Sequence, residues 1–97
     1  MTDFRARLKE IKGEIRELLD RQDLPLDTLS ASIFSDAKGQ EVYVEGGPSG
    51  LAYLAMQCLD IAAATAPGAH AHVDEFSGAD VGSIPLVVSL KTEVQDA

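Results

Sequence analysis

At 97 residues the chain has the length of one small domain, which closes around a single modest core. Hydrophobic residues make up 45% of it and mean hydropathy is +0.01, too apolar for a disordered chain even though 16 acidic side chains oppose 8 basic ones. The net charge of −8 repels nucleic-acid phosphates and anionic headgroups, so it argues against a nucleic-acid or membrane partner and favours encounter with a basic protein.

Phe4, Leu8, Ile11, Ile15 and Leu18 recur at steps of four and three with Arg, Lys and Glu between them, and the spacing predicts an amphipathic helix over residues 3–21. Charges from Asp3 to Arg16 leave no apolar core for a secretory signal, and no later apolar run has the length of a membrane span, so the cytoplasm is the expected location. The stripe also reads as a heptad seam of barely more than two repeats. Such a short seam favours docking onto its own domain, or a homodimer assisted by that domain, over a free zipper.

Pro25 ends this helix and opens an extended link. Leu29 to Phe34 and Glu41 to Glu45 alternate as strands around the turn residues Asp36-Ala37-Lys38-Gly39, which predicts a hairpin. Gly46-Gly47-Pro48-Ser49-Gly50 reads as a tight strand-to-helix turn with Ser49 near the cap; it has neither the lysine and spacing of a P-loop nor the G-x-G-x-x-G pattern. A second helix follows from about Ser49 to Ala66, before Pro67-Gly68. Leu51, Leu54, Ala55, Cys58, Ile61 and Ala62 form its expected buried stripe, widened along one side by Ala52, Met56, Leu59 and Ala63, and Tyr53, Gln57, Asp60 and Ala64 form its expected exposed arc. Cys58, the single cysteine, reads as a small buried hydrophobe, with no disulfide or zinc framework around it.

Ala69 to Phe76 reads as a third strand and Ser83 to Thr92 as a fourth, in which Ile84, Leu86, Val88 and Leu90 alternate with Pro85, Val87, Ser89 and Lys91. The whole is expected to be one α+β domain over residues 1–97: an N-terminal helix added to a ββαββ core over 29–92, with four strands in one small sheet and the helices on one face. Val42, Val44, Ala71, Val73, Leu86, Val88 and Leu90 would face the helices, leaving Glu41, Tyr43, Glu45, His70, His72, Asp74, Phe76 and Ser89 on the open face.

The period-two pattern of His70-Ala71-His72-Val73-Asp74 sends both imidazoles and the carboxylate the same way, so these three are the candidate metal ligands. A third imidazole is missing, and histidines on a sheet surface often simply face water; neither metal nor cofactor is expected. One histidine oriented by Asp74 could instead serve as a general base toward Ser89 or Tyr43, but neither hydroxyl stands in a nucleophile motif, so no catalytic residue is assigned. A small metal-dependent or general-base hydrolase is thus the rival reading, and a homodimeric structural or accessory domain the third. Glu41, Glu45 and Asp74 around Tyr43 and Phe76 suit recognition of a basic protein surface better than catalysis.

Val42-Tyr43-Val44-Glu45-Gly46-Gly47, then Gly50-Leu51-Ala52-Tyr53-Leu54-Ala55, then His70-Ala71-His72-Val73-Asp74 and the Gly82-Ser83-x-x-Leu86 strand together resemble a family of bacterial immunity proteins from polymorphic toxin systems. The resemblance spans about Glu41 to Thr92 and leaves the N-terminal helix outside. It implies a small cytoplasmic protein that binds and neutralises a toxin domain without catalysis. On that reading Tyr43 and Phe76 are packing anchors, Glu41, Glu45 and Asp74 supply charge, and His70 and His72 donate hydrogen bonds that make the contact respond to pH.

Overall fold

The computed structural model describes residues 2–22 and 27–91. Its elements in order are α1 (Thr2–Gln22), β1 (Leu29–Asp36), β2 (Gly39–Gly46), α2 (Pro48–Ala62), β3 (His70–Val73) and β4 (Leu86–Ser89). The expected link at Pro25 and Thr92, the expected last residue of the fourth strand, lie outside the described residues.

The heptad stripe of α1 packs on α2 of the same chain, with Leu8, Ile11 and Ile15 half-buried while Phe4 and Leu18 near its two ends stay exposed. Packing of this stripe, more than propensity, holds a solvated helix interrupted by Gly13. An ion pair from Lys12 Nζ to Asp60 Oδ1, at 2.8 Å, ties the two helices together.

Across their whole length β1 and β2 pair antiparallel, from Leu29 opposite Gly46 to Asp36 opposite Gly39. Both run past their expected ends because Ala37 and Lys38 alone make the turn: Gly39 follows at φ +134°, and Asp36 Oδ1 accepts the Lys38 N–H at 2.8 Å. The second hairpin is shorter than expected, with His70 opposite Ser89 and Val73 opposite Leu86. At Asp74 the third strand stops, because its carbonyl accepts the N–H groups of Ser77 and Ala79, both at 2.9 Å, and its carboxylate accepts that of Phe76 at 3.0 Å.

The class is α+β as expected, but the single four-stranded sheet is not formed: the strands make two separate antiparallel pairs. The reason lies in the segment leading into β4. Asp80 N–H donates to the Leu29 carbonyl at 2.8 Å and Ile84 N–H to the Ala31 carbonyl at 2.9 Å, as a neighbouring strand would. In the return direction, however, the Leu29 and Ala31 N–H groups donate to side chains, Asp80 Oδ2 at 3.3 Å and Ser83 Oγ at 2.8 Å. Pro85 comes next and has no N–H to continue the ladder. The two hairpins are therefore stitched at the root of β1 and part beyond it.

Helix α2 packs against β2, β3 and β4, and α1 covers part of its other side. Leu29, Ala31, Met56, Ile61, Ala63 and Val73 form the core, so it sits where the root of the first hairpin meets α2 and β3. The radius of gyration of 15.3 Å exceeds the ~12.5 Å of a compact domain of this length, as the outer half of the β1–β2 hairpin runs on beyond the core.

Two expectations about α2 are corrected. It ends at Ala62 rather than Ala66: the Ala64 N–H bonds back only three residues, to the Ile61 carbonyl at 3.1 Å, and Pro67 disfavours helical backbone just before it. Its buried face is also rotated toward the widened flank of the expected stripe: Met56, Ile61 and Ala63 are buried as expected. Leu51, Ala55, Cys58 and Ala62 are exposed, whereas Tyr53, Gln57 and Ala64 are half-buried and only Asp60 of the expected arc is open. Tyr53 is covered because Gly78, at φ +97°, lies so close to its ring that a β-carbon there would collide.

The helix start is held from a distance. Gly47, the N-cap, offers no side-chain bond, and Asp27 supplies the acceptor instead: its carboxylate takes the Gly50 N–H at 2.6 Å and the Ser49 N–H at 3.2 Å, while its own N–H donates to Ser49 Oγ at 3.0 Å.

Candidate partner-binding surface

The strand phases place the sequence-predicted residues in two groups. On β2, Glu41, Tyr43 and Glu45 share a face with Phe34, Ser32 and Ser30 of β1, opposite the face that buries Leu29 and Ala31. Tyr43 Oη donates to Glu41 Oε1 at 2.9 Å, and its ring meets Phe34 edge-on at 6.2 Å between centroids. On the second hairpin His70 and His72 share the exposed face with Ser89 and Val87, opposite the face that buries Val73. Their rings stand edge to face at 5.2 Å, and His70 Nδ1 donates to the Gly68 carbonyl at 3.2 Å.

Asp74 and Phe76 do not join those strand faces. The Asp74 side chain is folded onto its own turn, and Phe76 projects from that turn, 90% exposed. The imidazoles are thus together while the third candidate ligand is engaged elsewhere, and among the described residues no three His, Cys, Asp or Glu groups converge as a metal set. Nor does the Asp74 carboxylate orient either histidine: it accepts the Phe76 N–H instead. Ser89 lies directly opposite His70 in the ladder, whereas Tyr43 belongs to the other hairpin.

Val42 and Val44, expected beneath the helices, lie instead on an uncovered stretch: Val42 is 61% exposed, and Ile33, opposite it, 55%. The outer half of this hairpin therefore shows apolar side chains on both faces, since Phe34 and Tyr43 on the other side are 49% and 45% exposed. The Phe34–Tyr43 neighbourhood was legible, because strand alternation across the hairpin sets both on one face; the exposure of Ile33 and Val42 was not, because alternation alone cannot say where the covering helix stops.

Charge is divided unevenly over the fold. Six of the eight basic side chains lie in α1 beside five acids, whereas residues 27–91 carry eight acids against Lys38 and Lys91 alone. The ion pairs follow the same division: Arg7 pairs with Glu10 and Glu14, Arg21 with Glu17, and Lys12 with Asp60. Among the described residues Glu41, Glu45 and Glu75 have no cation within ion-pair distance, so the sheet half of the molecule presents the uncompensated negative field.

The fold is a small α+β scaffold whose first hairpin carries acidic and aromatic side chains. The family model described as Immunity protein 32 matches residues 41–91, more than half of the chain, and the chain belongs to that family. Immunity proteins are normally not enzymes, and their partners are toxins. No curated protein and no solved structure matches the chain. No helix among the described residues is long and apolar enough to cross a membrane.

Proposed function

We propose that the chain neutralises a bacterial toxin domain by binding it directly and without catalysis, in the cytoplasm where such a toxin would act. The acidic sheet half meets a basic surface of the toxin: Tyr43 and Phe76 are apolar anchors, Glu41, Glu45 and Asp74 provide the charge, and His70 and His72 donate hydrogen bonds from the neighbouring hairpin. One observation carries this reading: the span matched by the immunity family contains every one of these residues, including Glu41 and Glu45, which have no cation within ion-pair distance among the described residues. Charge of this kind steers the encounter and selects the partner more than it adds raw affinity.

Co-expression tests it. Where the gene beside this chain's encodes a toxic C-terminal domain, that domain should arrest growth alone, and the native chain should restore growth and co-purify with it in a stable complex. If the toxin stays active and no complex forms, the reading is wrong.

A further inference from the structure

The parting of the two hairpins leaves a specific set of backbone groups without partners. In an antiparallel pair, alternate residues bond inward to the partner strand and the others point outward. On β1 the phase is fixed by the Gly47 N–H bonding to the Thr28 carbonyl at 3.0 Å, which continues the inward-bonded series through Ser30, Ser32 and Phe34. Leu29, Ala31, Ile33 and Ser35 consequently point outward. The first two are satisfied by the segment from Asp80 to Ile84.

For Ile33 and Ser35 no partner is present among the described residues. The same argument applies to β4: the Leu90 N–H bonds to the Ala69 carbonyl at 2.8 Å, so Ala71 and Val73 exchange bonds with Val88 and Leu86, while Val87 and Ser89 point away from β3. These are the groups that would have paired with β1 had the sheet closed, yet β1 and β4 hardly touch.

We infer that this interrupted edge, Ile33 to Ser35 of β1 with Val87 and Ser89 of β4 across from it, receives an extended segment of a basic partner protein as an added strand. The inference rests on the immunity reading for the partner's identity and deepens it by naming the element recognised. Main-chain bonds to an unpaired edge supply affinity, and alternate side chains of the incoming strand supply specificity. Those side chains would meet Ile33 on one face and Phe34 and Val87 on the other, all exposed. Charge decides the occupant. Asp36, Glu41 and Glu45 line this hairpin against the single cation Lys38, so lysine or arginine on the added strand is favoured, and a second copy of this acidic half is repelled. The edge also lacks the usual protection, having neither lysine nor proline at Ile33 or Ser35.

The test is hydrogen exchange on the full chain with two capped octapeptides of equal charge, one alternating Lys and Val, the other Lys and Pro, which cannot pair as a strand. The Lys–Val peptide should slow exchange at the amides of Ile33, Ser35, Val87 and Ser89, and the Lys–Pro peptide should not. Ile33→Pro removes an outward N–H without touching the inward ladder, and should weaken Lys–Val binding about tenfold or more while the far-ultraviolet spectrum stays native; Ser35→Pro serves if that variant does not fold. Equal behaviour of the two peptides, protection at other amides only, or a doubling of mass abolished by Ile33→Pro would overturn the proposal. The adjacent toxin domain separates the two readings. If it binds the Ile33→Pro chain as tightly as the native one, the edge proposal falls and the immunity reading stands; if it binds neither, the immunity reading falls, and the peptides judge the edge alone.

Discussion

The carboxylate of Asp27 accepts the Gly50 N–H at 2.6 Å, so the first turn of α2 is closed by a residue that precedes both strands of the first hairpin. The same contact draws the chain entering β1 against the chain leaving β2, where Gly47 N–H also reaches the Thr28 carbonyl at 3.0 Å and its Oγ1 at 3.1 Å.

Lost hydration raises the Asp27 pKa, but bonds from the Gly50 and Ser49 N–H groups, from the Ser49 hydroxyl and from its own backbone outweigh that and hold the carboxyl below its ordinary value. A depressed folded-state pKa contributes stability that is complete above the unfolded carboxylate value of about 3.9 and is lost as pH falls through the lower folded value. Asp27→Ala should therefore lower the melting temperature at pH 7, and the gap between variant and native chain should close on acidification below about pH 4. Thermal melts across that range measure it, and a gap independent of pH would contradict the cap.

Two glycines on helices should respond to alanine in opposite ways. A β-carbon at Gly50 would collide with the Thr28 carbonyl oxygen and crowd the Asp27 carboxylate, whereas one at Gly13 meets nothing within 4 Å. Gly13→Ala should stabilise the chain by about 0.5–1 kcal/mol through helix propensity alone. Gly50→Ala should destabilise it by about 1–3 kcal/mol despite the same propensity gain. Urea unfolding of the two variants distinguishes them.

Cys58 lies on the exposed stripe of α2, not in the core. The folded chain should therefore react with a thiol reagent nearly as fast as the urea-unfolded chain, where a buried thiol would be protected by several orders of magnitude.

How legible this fold was depends on the period of each element. Period-two alternation set which residues share a face of each hairpin: at the root of β1 a one-residue slip would bury Ser30 and Ser32 in place of Leu29 and Ala31, and the inward phase of Leu86, Val88 and Leu90 holds for the same reason. Helix α2 carried no such signal. Apolar residues occur all round it, so its rotation is decided by what covers it, the Lys12–Asp60 contact from α1 on one side and the Gly78 loop over Tyr53 on the other.

The missing sheet closure was equally non-local. It depends on Asp80 and Ser83 side chains accepting bonds in place of a strand's carbonyls, and nothing in Ser77-Gly78-Ala79-Asp80 marks that role in the sequence. At the candidate surface, alternation brought His70 to His72 and Glu41 to Tyr43, but Asp74 was lost to a turn of its own making.

The central claim, that the acidic sheet half docks a basic toxin domain, is tested most directly by titrating the adjacent toxin domain in a calorimeter against the native chain and two charge-reversal variants. Glu41→Lys with Glu45→Lys should weaken the complex by about tenfold or more, while Lys9→Glu with Arg16→Glu on α1 should leave it within about twofold. Unchanged affinity for the β2 variant, together with loss of binding for the α1 variant, would place the contact on the helices and contradict the account.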